Sequence, residues 1–165
     1  MRVILLFCIF VFLMLAPAAA QRAPDTAQYI GLRHGPALPT GLQQVGGSLV
    51  SAIGDEKEYV MTEVHKGATR MLWFERLTHR DEKGVAYSEV RDVMSIPRLP
   101  KKQLFVYAFC LLNNKPDGEI AAVVDKDDAQ YFTRVRRAWR ANRQTEKFEA
   151  ISNKGIKCEN VGFGM

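Results

Sequence analysis

Apolar and polar positions fall into strand-like runs over most of the chain. Residues 58–65 (EYVMTEVH) and 69–77 (TRMLWFERL) are rich in β-branched and aromatic side chains and flank the short break Lys66-Gly67-Ala68. Two such runs around a glycine-bearing break predict a β-hairpin. After the polar connector 78–84, residues 85–96 alternate well enough to predict a third strand. The prolines of 97–102 (PRLPKK) cannot stay in a ladder, because each removes a donor. Residues 103–112 (QLFVYAFCLL) are almost wholly apolar and predict a central strand covered on both faces, carrying Cys110. Residues 113–118 (NNKPDG) have turn chemistry, and 119–124 are expected to return antiparallel beside that strand.

The spacing then changes. Asp127, with Gln130 three residues on, forms a capping-box pattern. Tyr131, Phe132, Val135, Ala138 and Trp139 follow at helical spacing, and Arg134, Arg136, Arg137, Arg140 and Arg143 fill the other side. The pattern predicts an amphipathic helix, followed by short extended pieces at 147–151 and 156–158. Strands followed by one late helix define an α+β fold. The expectation is a mostly antiparallel sheet of about four to six strands with one long C-terminal helix, in a single domain over 55–165. A flexible segment rich in Gly and Pro, 21–54, precedes it, with a short strand possible at Tyr29-Ile30-Gly31-Leu32.

The first twenty residues change the picture of where the protein works. Arg2, the apolar run from Val3 to Ala16, the break at Pro17 and the small residues Ala18-Ala19-Ala20 have the layout of a secretory leader, with cleavage expected after Ala20. The expected product is exported, to the periplasm or beyond, and no later segment is apolar enough to cross a membrane. Removal of Arg2 leaves 22 basic against 18 acidic residues, a net charge of +4. That balance alone implies no polyanion. Two cysteines remain, Cys110 and Cys158, and in an oxidising compartment a disulfide between them is the default. They lack C-x-x-C spacing, and nothing in the sequence brings His34, His65 or His79 to them as zinc ligands. No metal and no cofactor are implied.

Several motifs invite a catalytic reading. Arg33-His34-Gly35 opens the motif of the histidine phosphatases, in which the His takes the phosphoryl group and the Arg holds its oxygens. That chemistry also needs a second Arg, a second His near the C-terminus and an acidic donor, and the tripeptide is read here as a strand end or turn. Residues 41–48 (GLQQVGGS) outline a phosphate-binding loop but place Gly47 where a Lys must reach the phosphates. Residues 125–128 (DKDD) lack the spacing of a calcium loop, and capping explains their acids. Glu75, His79, Asp81, Asp92 and Glu119 are candidates for acid–base work, with nothing to fix their separation. Trp73 and Trp139 are expected in the core. The arginines can clamp anions bidentately or pair with neighbouring acids; Arg136, Arg137, Arg140 and Arg143 are the anion-binding candidates.

The order of EVRDVMSIP, Cys110, KPDGEIAAVV and RAWRANRQTEKFEAISNKGIKCEN resembles small exported proteins of cyanobacterial type with no established activity. The resemblance spans residues 58–160 and implies an envelope location and the Cys110–Cys158 pairing, and it carries over no catalytic residue. The function expected is a binding or structural module, with an anionic surface, polymer or acidic protein as the candidate partner. The alternative is a small envelope hydrolase using strand-borne carboxylates or a histidine.

Overall fold

The computed structural model describes residues 26–51 and 54–164, and the expected leader lies outside them. After a 3-10 turn at Ala27–Tyr29 come β1 (Arg33–His34), β2 (Gln43–Leu49), β3 (Tyr59–Lys66), β4 (Thr69–Arg80) and β5 (Ala86–Ser95). These form one sheet in the order β1-β5-β4-β3-β2. The next strands are β6 (Gln103–Tyr107), β7 (Cys110–Leu112), β8 (Lys115–Asp117), β9 (Ile120–Asp125) and β10 (Tyr131–Phe132). The chain ends with β11 (Val135–Asn142), β12 (Lys147–Ile151) and β13 (Ile156–Glu159). They make a second sheet, β12-β11-β9-β6, and a third, β10-β13-β7-β8. Every pairing is antiparallel.

The second sheet lies between the other two, and the period of two along its strands shows how. Ile120, Ala122 and Val124 of β9, with Val135 and Ala138 of β11, pack on Cys110, Phe132, Ile156 and Cys158 of the third sheet. Ala121 and Ala141, on the opposite face, pack on Tyr59, Met61, Leu72 and Phe74 of the first. Successive side chains on a strand point to opposite faces, so a sheet buried on both sides must be apolar at odd and even positions alike. The run IAAVV meets that demand. The far face of the first sheet is covered by the 26–42 segment, where Tyr29, Leu32, Leu38 and Leu42 pack on Trp73, Met71 and Val64.

Three sheets and no α-helix among the described residues overturn the expected α+β fold. The predicted helix is β10 and β11. Val135 pairs with Val124 and Arg137 with Val123, so Arg136 is an extra residue, a β-bulge. The bulge puts Val135 and Ala138 on the same face three residues apart, which imitates helical spacing. Arg and Ala are also good helix formers, but burial on both faces outweighs a propensity of a few tenths of a kcal/mol per residue. Asp127 accepts from the Ala129 N–H at 3.1 Å, closing a local turn instead of capping a helix.

The apolar run 103–112 is two strands, not one central strand. Ala108, at φ 65°, turns the chain out of the second sheet, where β6 is an edge, and into the third. Both faces of β6 are nonetheless covered, Leu104 and Val106 on one side and Phe105 and Tyr107 on the other. Asn113 and Asn114, both at positive φ, join β7 to β8 in the two-residue turn expected for a tight hairpin. Cys110 and Cys158 are cross-strand partners of β7 and β13, joined by a disulfide with Cα atoms 3.9 Å apart. No helix among the described residues is long and apolar enough to cross a membrane.

Candidate functional site

The Arg33-His34-Gly35 segment is β1 and the turn after it, laid along β5 with Arg33 opposite Glu89 and His34 opposite Ser88. His34 Nε2 lies 2.5 Å from Glu75 Oε1 and Nδ1 lies 2.8 Å from the Gly35 carbonyl oxygen. A carbonyl and a carboxylate only accept, so both ring nitrogens donate and the imidazole is charged. The bond to Glu75 raises the His34 pKa above its ordinary value; burial opposes that rise and the Gly35 carbonyl adds to it. The other Glu75 oxygen accepts from the Thr62 hydroxyl. With side chains only 9% and 3% exposed, His34 and Glu75 form a buried ion pair that fastens the N-terminal segment to the first sheet. As placed, His34 offers no free nitrogen to a phosphoryl group. Gly35 leaves room for the Tyr87 ring, which a Cβ would meet at 2.9 Å.

The other acid–base candidates are held apart by separate partners. Asp81 accepts from the Lys83 and Val85 amides in a turn, and Asp92 from the Val93 and Phe148 amides. Glu119 pairs with Arg140 at 2.8 Å and Arg143 at 2.6 Å. His79 is exposed and stacks on Tyr87 at 4.5 Å. The phosphate-loop outline at 41–48 is largely strand β2, where Gly46 admits the Tyr107 hydroxyl. Asp125, of the supposed calcium stretch, is bonded by Arg136, which, with Arg134 and Gln103, keeps its carboxyl below the usual range. Trp73 is in the core as expected, whereas Trp139 is half-buried.

The arginines expected along one helix side are divided by the strand. Arg140 reaches Asp117 of β8 and Glu119, tying the second sheet to the third. Arg136 turns to Asp125 at 2.5 Å, Arg143 to Glu119 and Asp55, and Arg137 lies over the Trp139 ring at 5.7 Å. Arg136, Arg140 and Arg143 are therefore engaged by carboxylates, and Arg137 is the candidate without one.

Two charged regions remain. At the junction of β1, β4 and β5, Glu89 is met by Arg33, Arg76 and Arg91, and Glu146 by Arg76 and Arg91. Tyr59 also donates to Glu146 at 2.9 Å. Burial alone would push the Glu146 carboxyl up, but these bonds and the two guanidinium charges hold it below the usual range. A cleft of about 640 Å³ opens beside this network, over Arg33, Lys57, Arg76 and the His79–Tyr87 pair.

The second region is the end of the middle sheet where β6 begins, β9 ends and β11 begins. Lys126 donates its amide to the Lys102 carbonyl at 2.9 Å, joining the 97–102 segment to the 126–130 loop. A groove of about 390 Å³ is lined there by Arg70, Arg98, Lys101, Lys126 and Phe105. Arg98, Lys101, Lys102 and Lys126 are exposed, and among the described residues none has a carboxylate within ion-pair distance. Arg137 stands on the same face two strands away, since Phe105 and Arg137 both pair with Val123 of the strand between them. Sequence reasoning used 97–102 only as a strand breaker; its three cations within five residues were the signal that it missed.

Comparison with protein-family models, with curated proteins and with solved structures returned no match. The resemblance to small exported proteins of cyanobacterial type rests on its quoted segments alone. What the geometry defines is a class: a three-layer, antiparallel β protein with a buried disulfide, densely paired charges and, at one end of the middle sheet, four exposed cations with no ion-pair partner among the described residues.

Proposed function

We propose that this chain is an exported binding module, working in the periplasm or outside the cell, that engages an anionic polymer at the cationic end of its middle sheet. The observation that carries this reading is the set Arg98, Lys101, Lys102 and Lys126, exposed and without carboxylate partners among the described residues, at the groove that the Phe105 ring lines. Among the described residues the other surface arginines except Arg137 meet acids; here the charges are left for a partner outside the chain. The disulfide and the expected leader support export. The hydrolase reading gains nothing from Glu75, Asp92 and Glu119, which are held in three different places.

An immobilised sulfated polysaccharide tests the reading. The wild type should be retained at low salt and released as salt rises, because exposed charges are screened beyond roughly 10 Å at 0.1 M. Replacing Arg98, Lys101, Lys102 and Lys126 together by Gln should remove retention, with each exposed site shifting stability by no more than about 0.5 kcal/mol. Arg136→Gln should change retention far less, because Asp125 already neutralises that charge. Equal retention of the quadruple variant and the wild type would refute the assignment.

A further inference from the structure

We infer that the cleft beside β1 takes a small organic anion bearing one carboxylate or one phosphate monoester group, between Arg33 and Lys57. This site is separate from the cationic sheet end and does not depend on it. The charge count makes the first argument. Three arginines, Arg33, Arg76 and Arg91, share two carboxylates, Glu89 and Glu146, so one positive charge is unmatched within the network. Arg76 and Arg91 each contact both carboxylates. Arg33 is the least committed: its Nε donates to Glu89 at 3.2 Å, its side chain is 77% exposed, and its two terminal nitrogens have no partner among the described residues. A guanidinium held by one edge with the fork free is preorganised for a bidentate anion.

The cleft supplies the rest. Lys57 lines it with no carboxylate partner among the described residues, and Ser88, opposite His34 in the ladder, adds an uncommitted hydroxyl. The stacked His79 and Tyr87 rings provide a flat, largely apolar surface for an organic body. At about 640 Å³ the cleft falls within the ordinary range for small-molecule sites. Glu56 and Glu89, also in its lining, favour a small ligand with one anionic group over a polyanion. The Arg33-His34-Gly35 segment thereby has a coherent role: His34 and Gly35 fix the backbone against β5, and Arg33 presents its fork to the cleft.

The test is an amide chemical-shift titration of the isotope-labelled chain with glucuronate and with glucose 6-phosphate, using glucose as the neutral control. Saturable shifts are expected at residues 33–35, 56–57, 76–79 and 87–89 with at least one of the two anions, and whichever binds more tightly identifies the ligand class. Arg33→Gln and Lys57→Gln should each weaken that binding by roughly tenfold, the worth of one charge-assisted hydrogen bond. Lys57 is exposed and makes no ion pair or side-chain hydrogen bond among the described residues, so its variant should leave the fold in place. The quadruple variant at the sheet end should bind as the wild type does. The inference is overturned if neither anion produces local shifts, if glucose matches them, or if the Lys57 and Arg33 variants bind unchanged.

Discussion

His34→Ala should lower folding stability by about 3–5 kcal/mol, the usual penalty for removing one partner of a buried ion pair. The substitution leaves the Glu75 carboxylate, 3% exposed, with the Thr62 hydroxyl and no counter-charge. Urea unfolding monitored by the fluorescence of Trp73, which lies against His34 with ring centres 5.9 Å apart, would measure it. Replacing His34 and Glu75 together by Leu should recover much of the loss, because the penalty resides in the stranded charge. A single-variant cost below about 1 kcal/mol would mean that the pair contributes no more than a surface contact. The pH dependence has a definite sign. The His34 pKa is raised in the folded state, so the stabilisation is complete below its unfolded value of about 6.5. It is lost as pH rises through the higher, folded value. The wild type should therefore weaken over that interval, and His34→Ala should lack this component of the slope.

The second large effect is that of the bridge. Replacing Cys110 and Cys158 by Ala should cost about 4 kcal/mol on the chain-entropy model for a separation of 48 residues. Comparing the denaturant midpoints of the variant and the oxidised wild type at one pH gives the number. Both cysteines are buried, at 2% and 0% exposure, so reductant should act on the wild type only through opened molecules. Mass analysis of the intact protein should show two hydrogens gained on reduction and no free thiol beforehand. Free thiols in the native, unreduced protein would remove the basis of the prediction.

The parts of the fold legible in the sequence were those whose signals are local. The hairpin of β3 and β4 has a two-residue break at Gly67-Ala68, and the polar connector 78–84 and the prolines of 97–102 bracket β5, so both were readable. The disulfide followed from counting cysteines. What misled was a single residue: the bulge at Arg136 turned a period of two into an apparent period of three or four, in a stretch of good helix formers. The corner at Ala108 had no signal, since a non-glycine residue at positive φ is imposed by its surroundings. Strand β2 was hidden because Gly46 and Gly47 have no side chains to show a pattern.

The sites followed the same division. Helical spacing placed Arg136, Arg140 and Arg143 together, whereas strand geometry sends them to Asp125, to Asp117 and Glu119, and to Glu119 and Asp55. Ion pairs that join residues 11 to 88 apart in sequence cannot be read before the sheet order is known. The cations Arg98, Lys101 and Lys102 were visible as a run, but that they form no ion pair among the described residues is a fact of three dimensions.

The position of the bridge also sets how the molecule carries a pulling force. Tension entering near residue 26 and leaving near residue 164 passes directly from Cys110 to Cys158, so residues 111–157 lie off the load path. That shielded loop includes every strand of the middle sheet except β6, together with β8 and β10. The load falls on the first sheet, whose hairpins peel one pairing at a time when drawn from their ends, and on β6 where it pairs with the shielded β9. With the bridge closed the molecule is a soft lead-in tethered to an inextensible knot, and opening it would release about 3.3–3.6 Å of hidden length for each shielded residue.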